Sequence, residues 1–345
     1  MQIITATAPG RCGIVGNPTD MYGGNVLSCT VQERATCRLT IGTETETEKE
    51  SVAGAGVTVN NDGETQKINS RSELALRGDK LDIVRAALLF LNIDPGATSF
   101  DICLSTTIAM RAGMAGSTAM LASIVGVLDA HLQLGLNPYA VAETMRKIEA
   151  REMRVVCGFQ DQHMAVFGGI NFMNFAGKQD LEQRSDEPLA TIEPLASLVE
   201  GLPLILAHTG VQHHSGTVHQ SPRQRWLAGE ALVRDSYRRI SELGWRAKRA
   251  LVEKNWPYLG ELMNENHALV AELGGSGPAN DHLINAARSA GAWGAKLAGA
   301  GGGGTIIALA EDTEAVGAAM ILAGAEALYI PRPSPGLTVT VSTQA

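Results

Sequence analysis

Aromatic side chains are scarce, at 4% of the 345 residues. Any large core must therefore be built from Ala, Val, Leu, Ile and Gly. Cysteine is scarce too. Cys12, Cys29, Cys37, Cys103 and Cys157 are odd in number, widely spaced and without a CxxC. That excludes a disulfide framework and a zinc site, and a reducing compartment suits it. No apolar run approaches the roughly 18 residues that a membrane span needs. The opening Met1 to Gly10 has neither a basic n-region nor an apolar h-region, which predicts no secretory leader and a cytoplasmic protein. No basic run is present, and the net charge is −8. Nucleic acid is thereby excluded as the main partner. What remains is 45% hydrophobic and 19% charged, a globular chain with a sizeable core and room for two domains.

Taken in order, Ile3 to Ala8 and Cys12 to Val15 read as strands broken at Pro9-Gly10. Gly16 to Asp20 is turn chemistry. Asn25 to Cys29 and Glu33 to Ile41 resume strand character, and Thr43 to Glu50 reads as a solvated acidic hairpin tip. Weak strands flank an Asn-Asp-Gly turn at Val57 to Val59 and Gln66 to Ile68. Asp82 to Leu91 has helical spacing, Phe100 to Leu104 is a strand, and Leu121 to Leu134 and Pro138 to Met153 are helices. Met164 to Phe167 and Ile170 to Phe175 read as a strand pair. Lys178 to Pro188 is a candidate linker. Gln224 to Leu273 is helical, with breaks near Gly244 and Asn255-Trp256-Pro257. Strands at Ala295 to Ala298 and Thr305 to Ala310 flank a glycine run; a helix at Asp312 to Ala325 and a strand at Leu337 to Val341 close the chain. The mixture indicates an α+β protein.

Two glycine-bearing stretches invite chemistry. Arg111-Ala-Gly-Met-Ala-Gly-Ser-Thr-Ala-Met120 lies between a strand and a helix. Helix N-termini carry unpaired N–H groups and partial positive charge, so this is either a phosphate site or an ordinary N-cap. Gly299-Ala-Gly-Gly-Gly-Gly304 spells G-x-G-x-x-G, but a strand follows it, which excludes a dinucleotide fingerprint. A close approach to a ligand and a tight hairpin both remain open.

Three segments together resemble the three motifs of the GHMP kinase superfamily. They are Ala8-Pro-Gly-Arg-Cys-Gly-Ile-Val-Gly-Asn-Pro-Thr-Asp20, the Gly113 to Thr118 stretch, and Lys296-Leu-Ala-Gly-Ala-Gly-Gly-Gly-Gly304. Asn17-Pro-Thr-Asp-Met-Tyr22, Gly158-Phe-Gln-Asp-Gln162, Phe167 to Phe172, Ser215 to His219 and Arg223-Gln-Arg-Trp226 look like the glucuronokinase branch. The lead-in Ala109-Met110-Arg111 departs from that branch's Pro-Arg-Gln.

The resemblance implies a two-domain fold. An N-terminal domain resembling ribosomal protein S5 (1–185) would carry motifs one and two. A ferredoxin-like C-terminal domain (186–345) would carry motif three, with ATP and sugar meeting between them. It implies phosphoryl transfer from ATP with Mg²⁺. Gly113, Met114, Ala115, Gly116, Ser117 and Thr118, with Gly301 and Gly302, would cradle the nucleotide. Thr118 and Glu149 would hold the metal, with Glu152 as the rival carboxylate. Asp161 would accept or orient the proton of the attacking hydroxyl, assisted by Arg11. Asn17, Asp20 and Tyr22 would meet the sugar. Arg223 and Arg225 would read a carboxylate or phosphate, or else cap a helix or pair with Glu230. His213, His214 and His219 are a weak metal pattern. The implied substrate is D-glucuronate, phosphorylated at its anomeric hydroxyl. Galactose, fucose, a heptose 7-phosphate or a catalytically silent sensor are the alternatives. The chain would be a monomer or homodimer that binds no membrane.

Overall fold

Alternating burial along Ser99–Thr106 turns Phe100, Ile102 and Leu104 inward and Ser99, Asp101 and Cys103 outward, the period-two signature of a half-buried strand. In the computed structural model this segment joins a large sheet. The structure describes residues 1–42, 55–109, 112–178, 187–199, 201–211, 215–299 and 304–343, and for 215–220 the backbone alone. The acidic run from Thr43 to Glu50 lies outside these residues, as do Arg111, His213, His214, Gly301 and Gly302.

The strands are β1 (Gln2–Val15), β2 (Asn25–Ile41), β3 (Gly56–Asn61), β4 (Glu64–Ile68), β5 (Ser99–Thr106), β6 (Ile170–Asn174), β7 (Thr191–Pro194), β8 (Leu204–His208), β9 (Gly294–Leu297), β10 (Thr305–Leu309), β11 (Ala327–Tyr329) and β12 (Thr338–Thr343). The helices are α1 (Asp82–Phe90), α2 (Gly116–Leu132), α3 (Pro138–Lys147), α4 (Gln160–Phe167), α5 (Ser215–Leu227), α6 (Ala231–Val252), α7 (Trp256–Glu272), α8 (Pro278–Ser289) and α9 (Thr313–Leu322). The larger sheet runs β12-β1-β2-β5-β3-β4, and β2 is long enough to pair β6 along its first half, with β7 beyond. The smaller antiparallel sheet runs β11-β8-β10-β9. The buried, almost wholly apolar α2 packs on β1 and β2, α7 bridges β9 to β1, and α8 and α9 cover the smaller sheet.

Several expectations change. Pro9-Gly10 does not end the first strand; β1 continues through it with a register shift between Pro9 and Arg11. Such a bulge re-aims a side chain. Gly10 is needed there because a Cβ would sit 2.8 Å from the Met114 carbonyl oxygen. Met164 to Phe167 is not a strand but the end of α4. A short apolar run has no period to separate the two, and the N-terminus of α4 is capped from far upstream, as shown below. Gly244 does not break its helix; α6 runs through it, and the missing side chain lets the Asn25 backbone approach. The helix expected over Pro138 to Met153 is α3 followed by one π turn at Ile148–Glu152. The larger sheet draws strands from both sides of the boundary expected at 185/186, since β7 and β12 belong to it. Lys178, at the start of the expected linker, is buried and bonded to Glu143, Glu187 and the Pro188 carbonyl. No helix among the described residues is long and apolar enough to cross a membrane.

Candidate active site

The bulge in β1 aims Arg11 at two distant segments. Its Nε and Nη2 donate to Oδ1 and Oδ2 of Asp161, each at 2.8 Å, and its Nη1 donates to the Gly113 carbonyl at 2.5 Å. The planar guanidinium suits this two-pronged grip on a carboxylate. Its backbone N–H also donates to the Met114 carbonyl, 3.0 Å away. One residue thus ties β1 to the loop before α2 and to the first turn of α4. Arg11 is nearly enclosed (7% side-chain exposure), whereas Asp161 keeps 28% of its side chain open, so the carboxylate can meet a ligand.

The loop before α2 has the form of an anion site. Gly113 and Ala115 adopt positive φ (77° and 57°), and no side chain caps the helix N-terminus. The first N–H groups of α2 are therefore left facing out of the loop. Met114 is buried in the core beneath, and Ser117 is exposed at the mouth. Thr118, the next residue and buried, donates its hydroxyl to Oε1 of Glu149 at 2.8 Å. Gln162 Nε2 donates to the other oxygen of that carboxylate. The π turn brings Glu149 inward, an insertion often found at functional sites. Burial pushes the Glu149 carboxyl up, against the hydrogen bonds from Gln162 and Thr118. Glu152 is half-buried and makes no hydrogen bond to Thr118. A buried carboxylate beside a hydroxyl is a hard oxygen pair, which fits Mg²⁺ completed by phosphates and water. Among the described residues no group of three His, Cys, Asp or Glu could hold a metal by itself.

The turn after β1 supplies the third wall. Asn17 is buried; its Oδ1 accepts from Lys296 Nζ at 2.8 Å, and its Nδ2 donates to the Gly299 carbonyl at 3.4 Å. Asp20 does more structural work than its sequence context implied. Its Oδ2 accepts the backbone N–H groups of Phe159 (2.7 Å) and Gln160 (2.9 Å), capping α4 directly before Asp161. Burial pushes the Asp20 carboxyl up, partly offset by the Gln160 N–H. Gly158 is obligatory beside it, since a Cβ there would lie 1.9 Å from Asp20 Oδ2. Tyr22 stacks on Tyr237 (ring centroids 4.5 Å apart) and tilts against Trp226 at 5.1 Å.

Of the two arginines on α5, Arg225 is held by Glu230 through Nε at 2.8 Å and Nη2 at 2.5 Å, and by the Leu273 carbonyl at 3.2 Å. That is the helix-end pairing weighed as the alternative to ligand binding. Arg223 has no ion pair among the described residues. It lies three positions before Trp226, on the helix face that meets Tyr22.

The glycine run joins this centre. A Cβ on Gly299 would lie 2.5 Å from the Gly113 carbonyl oxygen, and Gly13 N donates to the Ala298 carbonyl at 2.9 Å. All three sequence motifs therefore converge. Three participants were not singled out from the sequence: Gln162, Asn266 and Lys296. Asn266 accepts from Gly16 N at 2.9 Å and donates to the Asn17 carbonyl at 3.2 Å. A signal existed for Lys296 alone, as a cation within an otherwise apolar strand.

Comparison with known proteins gives a consistent picture. The "GHMP kinases N terminal domain" family model matches residues 82–169, and "GHMP kinases C terminal" matches 247–320. The chain is 26% identical to a mevalonate kinase of Pyrococcus abyssi over 349 residues, covering 98% of each chain. It is 26% identical to Glucuronokinase 1 of Arabidopsis thaliana over 303 residues, covering 85% of this chain and 81% of the relative. The fold is similar to that of a Lactococcus lactis galactokinase complexed with galactose, with a TM-score of 0.75, 17% identity, and coverage of 97% of this chain and 95% of that one.

Proposed function

The chain belongs to the GHMP kinase superfamily, and from that premise we propose that it transfers the γ-phosphoryl group of ATP to a hydroxyl of a small hydroxylated acid, D-glucuronate first, at its anomeric hydroxyl. The observation that carries the reading is the Arg11–Asp161 pair set beside the uncapped start of α2.

The roles follow from position. Backbone N–H groups of Gly113 to Thr118 hold the ATP phosphates, and Gly301 and Gly302 of the glycine run join the nucleotide site, as the family resemblance implies. Thr118 and Glu149 hold Mg²⁺, which when bound offsets charge on the phosphate oxygens. Asp161 accepts or orients the proton of the attacking hydroxyl, and Arg11 keeps its carboxylate aimed. In such a transfer there is little covalent work for the protein beyond positioning and charge stabilisation. Asn17 contributes an amide to the acceptor. Asp20 and Tyr22 stand behind it, fixing α4 and α5.

An acid is favoured as acceptor because mevalonate and glucuronate, named in the curated relatives, both carry a carboxylate, and Arg223 has no ion pair among the described residues. Glucuronate is placed first because the motif-one turn and the α5 segment resemble the glucuronokinase form. Near full-length similarity to mevalonate kinases supports mevalonate as the second reading. The test is Mg²⁺-dependent ADP release over a panel of glucuronate, mevalonate, galactose, fucose and heptose 7-phosphate. Turnover of glucuronate above the neutral sugars supports the reading. Preference for a neutral sugar refutes the acid assignment, and ATP binding without turnover of any acceptor favours a silent sensor.

A further inference from the structure

Lys296 lies in β9, 1% exposed, between the motif-one turn and the glycine run. Its Nζ donates to Asn17 Oδ1 at 2.8 Å, to the Gly13 carbonyl at 3.4 Å and to the Leu297 carbonyl. Three oxygen acceptors match the three N–H bonds of an ammonium group. Among the described residues no carboxylate pairs with it, and the charged group nearest in effect to Nζ is Arg11 of β1. Burial pushes the ammonium down to about 7. On the other side lies His267 of α7, which burial and this lysine push down to about 4. A buried cation held only by dipoles is costly to keep, and helix or strand stability does not call for it at this place.

Its geometric consequence falls on one side chain. An asparagine amide can turn over and exchange its oxygen and nitrogen with little change of shape. In the ammonium form, which its three oxygen partners match, the lysine only donates, so it admits only the oxygen. Gly13 keeps the amide close, since a Cβ there would lie 2.6 Å from Asn17 Oδ1. With Oδ1 facing Lys296, Nδ2 must face the opposite way, where it meets the Gly299 carbonyl. Among the described residues Nδ2 makes no other bond, leaving one N–H for a ligand.

We propose that Lys296 is a positioning residue for acceptor recognition, fixing the Asn17 amide so that it offers an N–H, and not a carbonyl, to an oxygen of the acceptor. The inference rests on the reading of Asn17 as an acceptor contact. An N–H donor with a buried cation behind it favours an electron-rich acceptor oxygen, a carboxylate above a neutral hydroxyl.

The test is a double-mutant cycle on the full chain. Lys296→Met should raise the acceptor KM by about 10-fold while leaving the ATP KM within about 2-fold, and should cost more for an acid than for its neutral sugar. Asn17→Ala should do the same, and Lys296→Met should add nothing to it. Additive effects, or equal changes in the ATP and acceptor KM, would overturn the inference. Lys296→Gln keeps an N–H donor and should recover part of the acceptor KM, which also covers the case in which the Met variant fails to fold. A readout free of turnover is the side-chain amide resonance pair of Asn17 in selectively labelled protein. Displacement of that pair in Lys296→Gln, with the backbone spectrum kept, supports the role. An unmoved pair overturns it, even if every acceptor in the panel is refused and the kinase reading has failed on the wild type.

Discussion

Two arginine–carboxylate pairs of nearly the same geometry hold different parts of the molecule. Arg11 grips Asp161 across 150 positions of sequence, and the pair ties β1, the α2 loop and α4 together. Arg225 grips Glu230 five positions on, at the end of its own helix. The first pair required the whole fold to bring it together, and its carboxylate still keeps 28% of its side chain exposed. The second satisfies itself locally, with both side chains about a third exposed. Geometry alone does not separate a catalytic pair from a structural one. What separates them is which elements the pair joins and which of its atoms are left for a ligand.

That contrast can be broken by substitution. The largest effect belongs to Asp161→Asn, which keeps size but removes the proton acceptor. Turnover should fall by about 10²-fold or more with ATP affinity nearly kept. Turnover near wild type would make Arg11–Asp161 structural like its counterpart. Next is Glu149→Gln. Apparent Mg²⁺ affinity should fall by about 10- to 100-fold, read from the Mg²⁺ dependence of ADP release. The metal-free variant should nonetheless melt higher. The Glu149 carboxyl is raised by burial, so the stability it lends is full below the ordinary carboxylate range and lost as pH rises through the raised value. The difference between variant and wild type should therefore be near zero around pH 4 and grow toward pH 8. A melting temperature that falls at pH 8 would show that the ionised form is the one the fold favours.

Smaller effects lie on α5. Arg223→Ala should raise the KM for glucuronate by roughly 10-fold and leave that for galactose within about 2-fold, as expected for loss of a charge-assisted contact. Equal effects on both would remove Arg223 from carboxylate reading. Arg225→Ala should be the mildest, a slight drop in melting temperature with both KM values within about 3-fold of wild type, because exposed pairs contribute little. A large selective change in the glucuronate KM would reverse the order of the two arginines.

The convergence of the three loops was legible because it is written in small residues. Gly10 and Gly299 are each where another backbone comes too close for a Cβ, Gly113 turns through a positive φ, and glycine in sequence advertises such places. The Thr118–Glu149 pair was legible as a family pattern, which already put Glu149 ahead of Glu152, but the π turn that carries Glu149 is announced by no periodicity. The end of α4 reads as a strand because the cap that starts the helix, Asp20, stands 139 and 140 positions from the N–H groups it holds. The hold of Lys296 on Asn17 spans 279 positions and has the same character. Local propensity cannot report such contacts. The pairing of β12 with β1 is likewise a tertiary choice, invisible in a strand of alternating Thr and Val that could edge either sheet.

The most direct measurement is ADP release by wild type and Asp161→Asn, with Mg²⁺ and saturating ATP, on glucuronate and galactose side by side. The expected result is Mg²⁺-dependent release on glucuronate that exceeds galactose and collapses in the variant. Equal release by wild type and variant, or none with glucuronate despite measurable ATP binding, would contradict the assignment of the Arg11–Asp161 centre as the site of phosphoryl transfer to an acid.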